Sequence, residues 1–277
     1  MLLLLILLDS SPKEETIKIS KTYDVTSAEH LQVIVQNVYG SVRVQPSTSG
    51  KVELELEIKI RANSDKLMAL AKKELELGEY IEQDTLAFYT KAPWVQNCNG
   101  SPYKGFNWNN GPDYQFSYEY VLKIPKTSMI SANTVNDGEV IVENIQGEVK
   151  VGNVNGGVEV KNVYRLAGAS TVNGDVKINF LRAPKEAINF RTVNGDFQLE
   201  FPKDFAATVY FDSMNGEMYS SFDYEDAKPK VETSNGGKGA KYKISSKTGV
   251  IIGSGGPELN FSSINGNVYL RKQNTGS

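Results

Sequence analysis

The sequence predicts an all-β protein wound as a single-stranded parallel β-helix, right-handed by the general rule for crossovers, with one short α-helix in its N-terminal part. Three observations carry that reading: a recurring hexapeptide, a glycine spacing that keeps time with it, and strict alternation in the intervals. The hexapeptide reads hydroxyl, apolar, Asn, Gly, polar, apolar in Thr171 to Val176, Thr192 to Phe197, Ser213 to Met218 and Ser263 to Val268. Looser copies run from Asn133 to Val140, with one extra residue, and from Val154 to Val158. Gly138, Gly147 and Gly156 stand nine apart, Gly174 follows after eighteen, and Gly195 and Gly216 follow at intervals of twenty-one. The repeat unit is therefore a coil of about 18 to 21 residues.

Between the glycines, Val158 to Asn162, Val176 to Phe180 and Phe197 to Phe201 alternate apolar with polar residues, the period of a strand with one buried face. Asn-Gly between two such runs also marks a two-residue hairpin, so an antiparallel meander competes. Near-identical corners at a steady period favour stacked coils, because a meander has no need to repeat its turns. Stacking at about 4.8 Å would lay Val172, Val176, Ile178 and Phe180 on Val193, Phe197, Leu199 and Phe201, all facing inward. The corners would then form a structural turn ladder of Asn173-Gly174, Asn194-Gly195, Asn215-Gly216 and Asn265-Gly266. Glycine supplies positive φ there, and the stacked amides bond from coil to coil.

Ahead of the repeats, Leu31 to Val35, Ser41 to Val44 and Val52 to Ile60 read as strands, and Asn37 to Val42 resembles a worn copy of the corner. The one predicted helix covers 65–77, capped by Asn63 or Ser64 and ended by Gly78. Tyr80 to Thr90 returns to strand, 91–116 is a long loop rich in Pro, Asn and aromatic residues, and Tyr118 to Pro125 is a strand closed by proline. The expected organisation is a leader-like apolar segment and linker over 1–15, a β-rich part over 16–127, the β-helix repeats over 128–272 and a disordered tail over 273–277.

Composition removes several function classes. The chain has 277 residues with 30 Lys plus Arg against 33 Asp plus Glu, so a net charge of −3 offers no basic surface for nucleic acid. A single cysteine, Cys98, excludes an intramolecular disulfide, and a single histidine, His30, cannot supply a His-based triad together with a metal cluster. Residues 2–8 are apolar but too few to span a bilayer, and they match the core of an export signal that lacks its basic start and its cleavage pattern. Export to the periplasm or cell surface, without an integral membrane span, is the expectation.

The order of strands, one helix, a strand ending in Lys123-Ile-Pro125 and then repeated TVNGD corners resembles the bacterial adhesin-type domain family DUF4097. The likeness rests on Thr171 to Val176, Thr192 to Phe197, Ser213 to Met218 and Phe201-Pro-Lys-Asp204, and it covers the chain from about residue 30 onward. It implies a single-stranded parallel β-helix on an exported or surface-associated protein. The loop 91–116 and the stretched interval between Gly236 and Gly266 depart from the pattern.

Two residue sets are candidates for chemistry. The position after each turn glycine carries Glu139, Glu148, Asp175, Asp196 and Glu217, an acidic row once coils stack. One carboxylate per coil falls short of the six to eight oxygens Ca²⁺ takes, so a solvated edge is the better account and no metal, cofactor or catalytic residue is assigned. The loop 91–116 holds Trp94, Tyr103, Phe106, Trp108 and Tyr114, which serve either as a ligand-binding surface or as a cap on the first coil. The function expected is a non-enzymatic adhesin-type solenoid presenting a rigid surface to a glycan or a surface protein. A β-helical polysaccharide lyase or hydrolase and an envelope structural or sensing module are the alternatives; oligomeric state is not encoded in these patterns.

Overall fold

The computed structural model describes residues 11–97, 106–108, 111–228, 231–234, 241–244 and 248–273. Cys98, the segment 1–10 and residues 274–277 lie outside these residues. The N-terminal part contributes β1 (Lys13–Tyr23), β2 (Gln32–Gln36), β3 (Val42–Pro46), β4 (Val52–Ala62), helix α1 (Asp65–Glu74), β5 (Glu76–Glu82) and β6 (Thr85–Lys91). Within 91–116 two short strands pair, β7 (Val95–Asn97) with β8 (Phe106–Trp108), and β9 (Gln115–Ile124) follows. Four coils come next as strand pairs: β10 (Met129–Asn133) with β11 (Val140–Glu143), β12 (Glu148–Gly152) with β13 (Val158–Val163), β14 (Arg165–Ser170) with β15 (Val176–Phe180), and β16 (Ile188–Arg191) with β17 (Phe197–Phe201). The rest comprises β18 (Ala207–Asn215), β19 (Met218–Ser220), β20 (Tyr224–Asp226), β21 (Val231–Ser234), β22 (Lys241–Ile244), β23 (Thr248–Ile252), β24 (Glu258–Asn265) and β25 (Val268–Lys272).

These strands build two large mixed sheets. One of ten strands runs β1-β4-β9-β3-β11-β13-β15-β17-β25-β19, and one of eleven runs β20-β23-β18-β24-β16-β14-β12-β10-β2-β6-β5. From β10 to β17 consecutive strands alternate between the sheets, and β10 to β15 each pair in parallel with the equivalent strand of the next coil, as β11 does with β13 and β12 with β14. The loop β2–β3 of the N-terminal part belongs to the same stack, since β2 pairs in parallel with β10 and β3 with β11. At the N-terminal end antiparallel strands take over: β4 lies against β9, β1 against β4, and β5 against β6.

The alternation read from sequence places the core. Val42, Val140, Val158, Val176, Phe197 and Val268 stand in register and are fully buried or nearly so, as are Val44, Val142, Val160, Ile178, Leu199 and Leu270 two residues on. In the facing sheet Phe190 stacks on Phe261 with centroids 4.5 Å apart. Each coil buries one face only against its neighbours, so its stability is borrowed from them.

Three expectations need correction. Val172 and Val193 do not point inward: they are half-buried, whereas Thr171 and Thr192 beside them are 4% and 5% exposed. The corner breaks the alternation, and the inner side needs a donor rather than a methyl group, as shown below. Second, Asn194 and its coil do not meet Asn215. The coil β24–β25 is inserted between, so that β24 pairs with β16 on one side and β18 on the other, and β25 with β17 and β19. Third, the helix ends at Glu74 rather than 77. Ser64 Oγ accepts from Leu67 N to start it, Leu75 already has extended backbone, and Gly78 lies inside β5 facing Tyr89.

The last coil in the chain therefore sits inside the stack, reached through Gly253-Ser254-Gly255-Gly256-Pro257. Gly253, Gly255 and Gly256 have φ of +60°, +72° and +151°, and a Cβ on Gly256 would lie 3.2 Å from Ala206 O. Removing residues 257–277 should lower Tm and also release β18 and β19 from hydrogen-exchange protection, because their parallel partners β24 and β25 are lost. The orientation of the corner gives a second check: in urea titrations Val193→Asp should cost less than about 1 kcal/mol, whereas Phe197→Ala should cost about 3–5 kcal/mol.

Candidate functional site

The corner that leads from the eleven-stranded to the ten-stranded sheet gives each motif position a separate job. The glycines approach so closely that no side chain fits: a Cβ on Gly138 would lie 2.2 Å from Gly40 C, and one on Gly156, Gly174 or Gly195 would lie 2.0–2.3 Å from the carbonyl oxygen of the glycine one coil before it. Close approach, more than positive φ, is what demands glycine here, since of these only Gly40 and Gly195 have φ in the left-handed range.

The glycine carbonyls face inward and are met by the first residue of the motif. Thr134 Oγ1 donates to Gly40 O at 2.7 Å and Thr171 Oγ1 to Gly156 O at 2.9 Å. Asn153, in the same position, donates to Gly138 O and Gly157 O, and Asn37 to Gly40 O and Tyr118 O. These buried polar side chains answer acceptors that would otherwise be stranded in the core.

The third residue of the motif forms an exposed amide ladder. Asn155 Nδ2 donates to Asn136 Oδ1, Asn173 to Asn155, Asn194 to Asn173, Asn265 to Asn194 and Asn215 to Asn265, at 2.7–2.9 Å. The acid after the glycine clips one coil to the next. Asp175 Oδ1 accepts from Asp196 N at 2.9 Å, Asp196 Oδ1 from Asn267 N at 2.8 Å, and Asn267 Oδ1 from Glu217 N at 2.9 Å. Glu148 does not belong to this row: it begins β12, at the opposite corner.

Beside the amides the second motif residue makes an outward apolar stripe. Val135, Val154, Val172 and Val193 are half-buried, and at the far end Ile264 and Met214 are 42% and 78% exposed. The surface along this corner is thus a row of amides flanked by a row of methyls, six rungs and roughly 24 Å long.

At the head of the ladder Tyr39 takes the asparagine place, bridged to Asn136. Its ring meets Phe116 edge-on at 5.3 Å, and Phe116 in turn packs on Trp94 at 5.0 Å and Tyr114 at 6.4 Å. Trp94 and Tyr114 are 8% and 5% exposed. Trp94 Nε1 donates to Tyr114 Oη, which donates to Glu74 at the end of α1. Burial raises the Tyr114 hydroxyl well above the ordinary tyrosine value, so it stays a neutral donor. A cleft of about 680 Å³ opens at this junction, lined by Tyr39, Tyr114, Phe116, Lys59 and Arg61 among others. Arg61 pairs with Glu14 at 3.5 Å and Lys59 with Glu119 at 3.8 Å.

Of the aromatic residues singled out by sequence, Trp94 and Tyr114 are brought together as the backing of this cleft. Phe106 and Trp108 lie in β8, and Tyr103 lies outside the described residues. Tyr39 and Phe116, which line the cleft, come from segments that read as an imperfect corner and as a loop end. The sequence signal for Tyr39 was present: it stands directly before Gly40, where the motif has Asn. His30 lines a second groove of about 540 Å³ at the opposite corner, where the Arg182 guanidinium lies 3.9 Å over the Tyr164 ring.

The fold and its corner repeats define a repetitive β scaffold with an ordered surface ladder. Residues 117–252 match the Toastrack DUF4097 family model. No curated protein matches the chain. Among solved structures it is similar to a candidate cell adhesion protein from Clostridium sporogenes, at 13% identity over 95% of this chain and 100% of that one, with a TM-score of 0.42. A candidate adhesin from Bacteroides fragilis matches at 12% identity over 93% and 97%, with a TM-score of 0.38. A candidate lipid-binding protein from Parabacteroides distasonis matches at 13% over 96% and 98%, with a TM-score of 0.35. Among the described residues, no helix is long and apolar enough to cross a membrane, which says nothing of strands.

Two measurements test the division of labour. Thr171→Val keeps the shape but leaves Gly156 O without its donor, and should cost about 1–3 kcal/mol in urea unfolding. Trp94→Ala should cost about 3–5 kcal/mol and loosen α1, visible as faster exchange of its amides.

Proposed function

We propose that this chain is a non-enzymatic, exported or cell-surface protein of adhesin type, wound as a right-handed parallel β-helix, that presents the cleft at the head of its amide ladder to a glycan. The observation that carries this reading is the meeting of Tyr39 and Phe116 with Lys59 and Arg61 around one cleft, continuous with the outward row of amides. Aromatic faces take the apolar side of a sugar ring, and amides and guanidinium groups take its hydroxyls. Trp94 and Tyr114 serve by holding Phe116, and Tyr103, Phe106 and Trp108 are proposed as further contacts to the same ligand.

Support for a β-helix comes from strands that alternate between two sheets and pair in parallel coil by coil, and the handedness follows the crossover rule. Support for a binding rather than a catalytic role comes from the use of Asp175 and Asp196 in backbone hydrogen bonds and from the pairing of Glu14 with Arg61.

The test is retention of the full chain on an array of neutral and acidic polysaccharides. Phe116→Ala and Arg61→Ala should each weaken capture about three- to tenfold, the range expected for one aromatic or charge-assisted contact. Steady release of cleaved sugar by purified protein would overturn the non-enzymatic reading, and retention unchanged by both substitutions would remove the cleft from the binding surface.

A further inference from the structure

The amide ladder is built from a dipeptide that is chemically fragile. In Asn-Gly the bare glycine lets its own backbone nitrogen reach the preceding side chain. That nitrogen attacks Cγ, the Cγ–Nδ2 bond breaks, and ammonia leaves with the amide proton. Water then opens the resulting succinimide ring at either carbonyl, leaving aspartate or isoaspartate. The described corners contain five such pairs, at Asn155, Asn173, Asn194, Asn265 and Asn215.

Stacking obstructs this reaction in two ways. The attacking nitrogen is tied up where the next coil accepts from it: Gly174 N donates to Asn194 O at 2.9 Å, Gly195 N to Asn265 O at 3.0 Å, and Gly266 N to Asn215 O at 3.2 Å. The side chain is also held at both ends, since every interior amide donates to one neighbour and accepts from the other. Asn155 keeps the second protection, with Nδ2 on Asn136 and Oδ1 accepting from Asn173.

Asn215 is the last rung in space, although not in sequence. Its Nδ2 donates to Asn265 Oδ1, but among the described residues nothing donates to its Oδ1 and nothing accepts from Gly216 N. The flanking Met214 is 78% exposed, so water has free access. We propose that Asn215 is a spontaneous deamidation site and that the stack shields the other rungs. Conversion replaces a donor with an acceptor-only carboxylate facing Asn265 Oδ1, which uncouples the terminal rung from the ladder.

The measurement is site-resolved conversion in the full chain, held folded at mildly alkaline pH and, in parallel, unfolded in denaturant, with digestion and mass spectrometry to count aspartate and isoaspartate at each position. In denaturant all five sites should convert at comparable rates. In the folded chain Asn215 should convert about tenfold or more faster than Asn173, Asn194 and Asn265, on the scale set by the hydrogen bonds it lacks. Its rate should rise with pH, because the deprotonated amide is the nucleophile. Equal protection of Asn215 and the interior rungs, or interior conversion as fast as that at Asn215, would overturn the proposal.

Discussion

The stack depends on glycine carbonyls lying where a neighbouring Cβ would be. Along Gly40, Gly138, Gly156, Gly174, Gly195, Gly266 and Gly216, in that spatial order, any side chain would collide with the backbone of the coil beneath. That contact lets coils lie flush, and flush coils put the other motif residues within hydrogen-bond reach of their counterparts. Threonine inside, asparagine outside and aspartate after the glycine are three answers to one geometric fact. Each satisfies a backbone or side-chain group that the close approach would otherwise leave without a partner.

Much of this was legible from the residues alone. Strand intervals such as Val176 to Phe180 and Phe197 to Phe201 alternate cleanly, and their inward residues are the ones that pack. The corner was less legible, because period-two alternation stops where the backbone turns. Thr171 and Val172 exchange the roles that their polarity suggests, since an inward carbonyl outweighs the burial of one valine. The order of coils was hidden for a different reason. Ser213-Met-Asn-Gly and Ser263-Ile-Asn-Gly are equivalent as corners, so the motif cannot state which of them rests on Thr192-Val-Asn-Gly. That choice belongs to the connections, in particular to the glycines of 253–256, which let the chain pass close to Ala206 and Ala207.

The cleft illustrates a second limit of linear reading. Its aromatic surface draws on Tyr39 and Phe116, 77 positions apart, with Trp94, Tyr114 and the end of α1 behind them. The aromatic richness of 91–116 pointed to the right region and named residues that support the site. Phe116 and Tyr39, which line the opening, belong to a strand and to a corner that looked degraded only because an aromatic replaces its amide.

The placement of β24 and β25 within the stack bears on how such a molecule can be lengthened. In a solenoid whose final coil is outermost, one more repeat can be appended at the C-terminus and will find an open edge. Here β25 pairs with β17 on one side and with β19 on the other, so the strand that ends at Lys272 has no free edge to offer a further coil. Growth of this scaffold, by gene duplication or by design, has to proceed by splicing a whole coil into the run between Met129 and Phe201, leaving the closing segment and its glycine passage untouched.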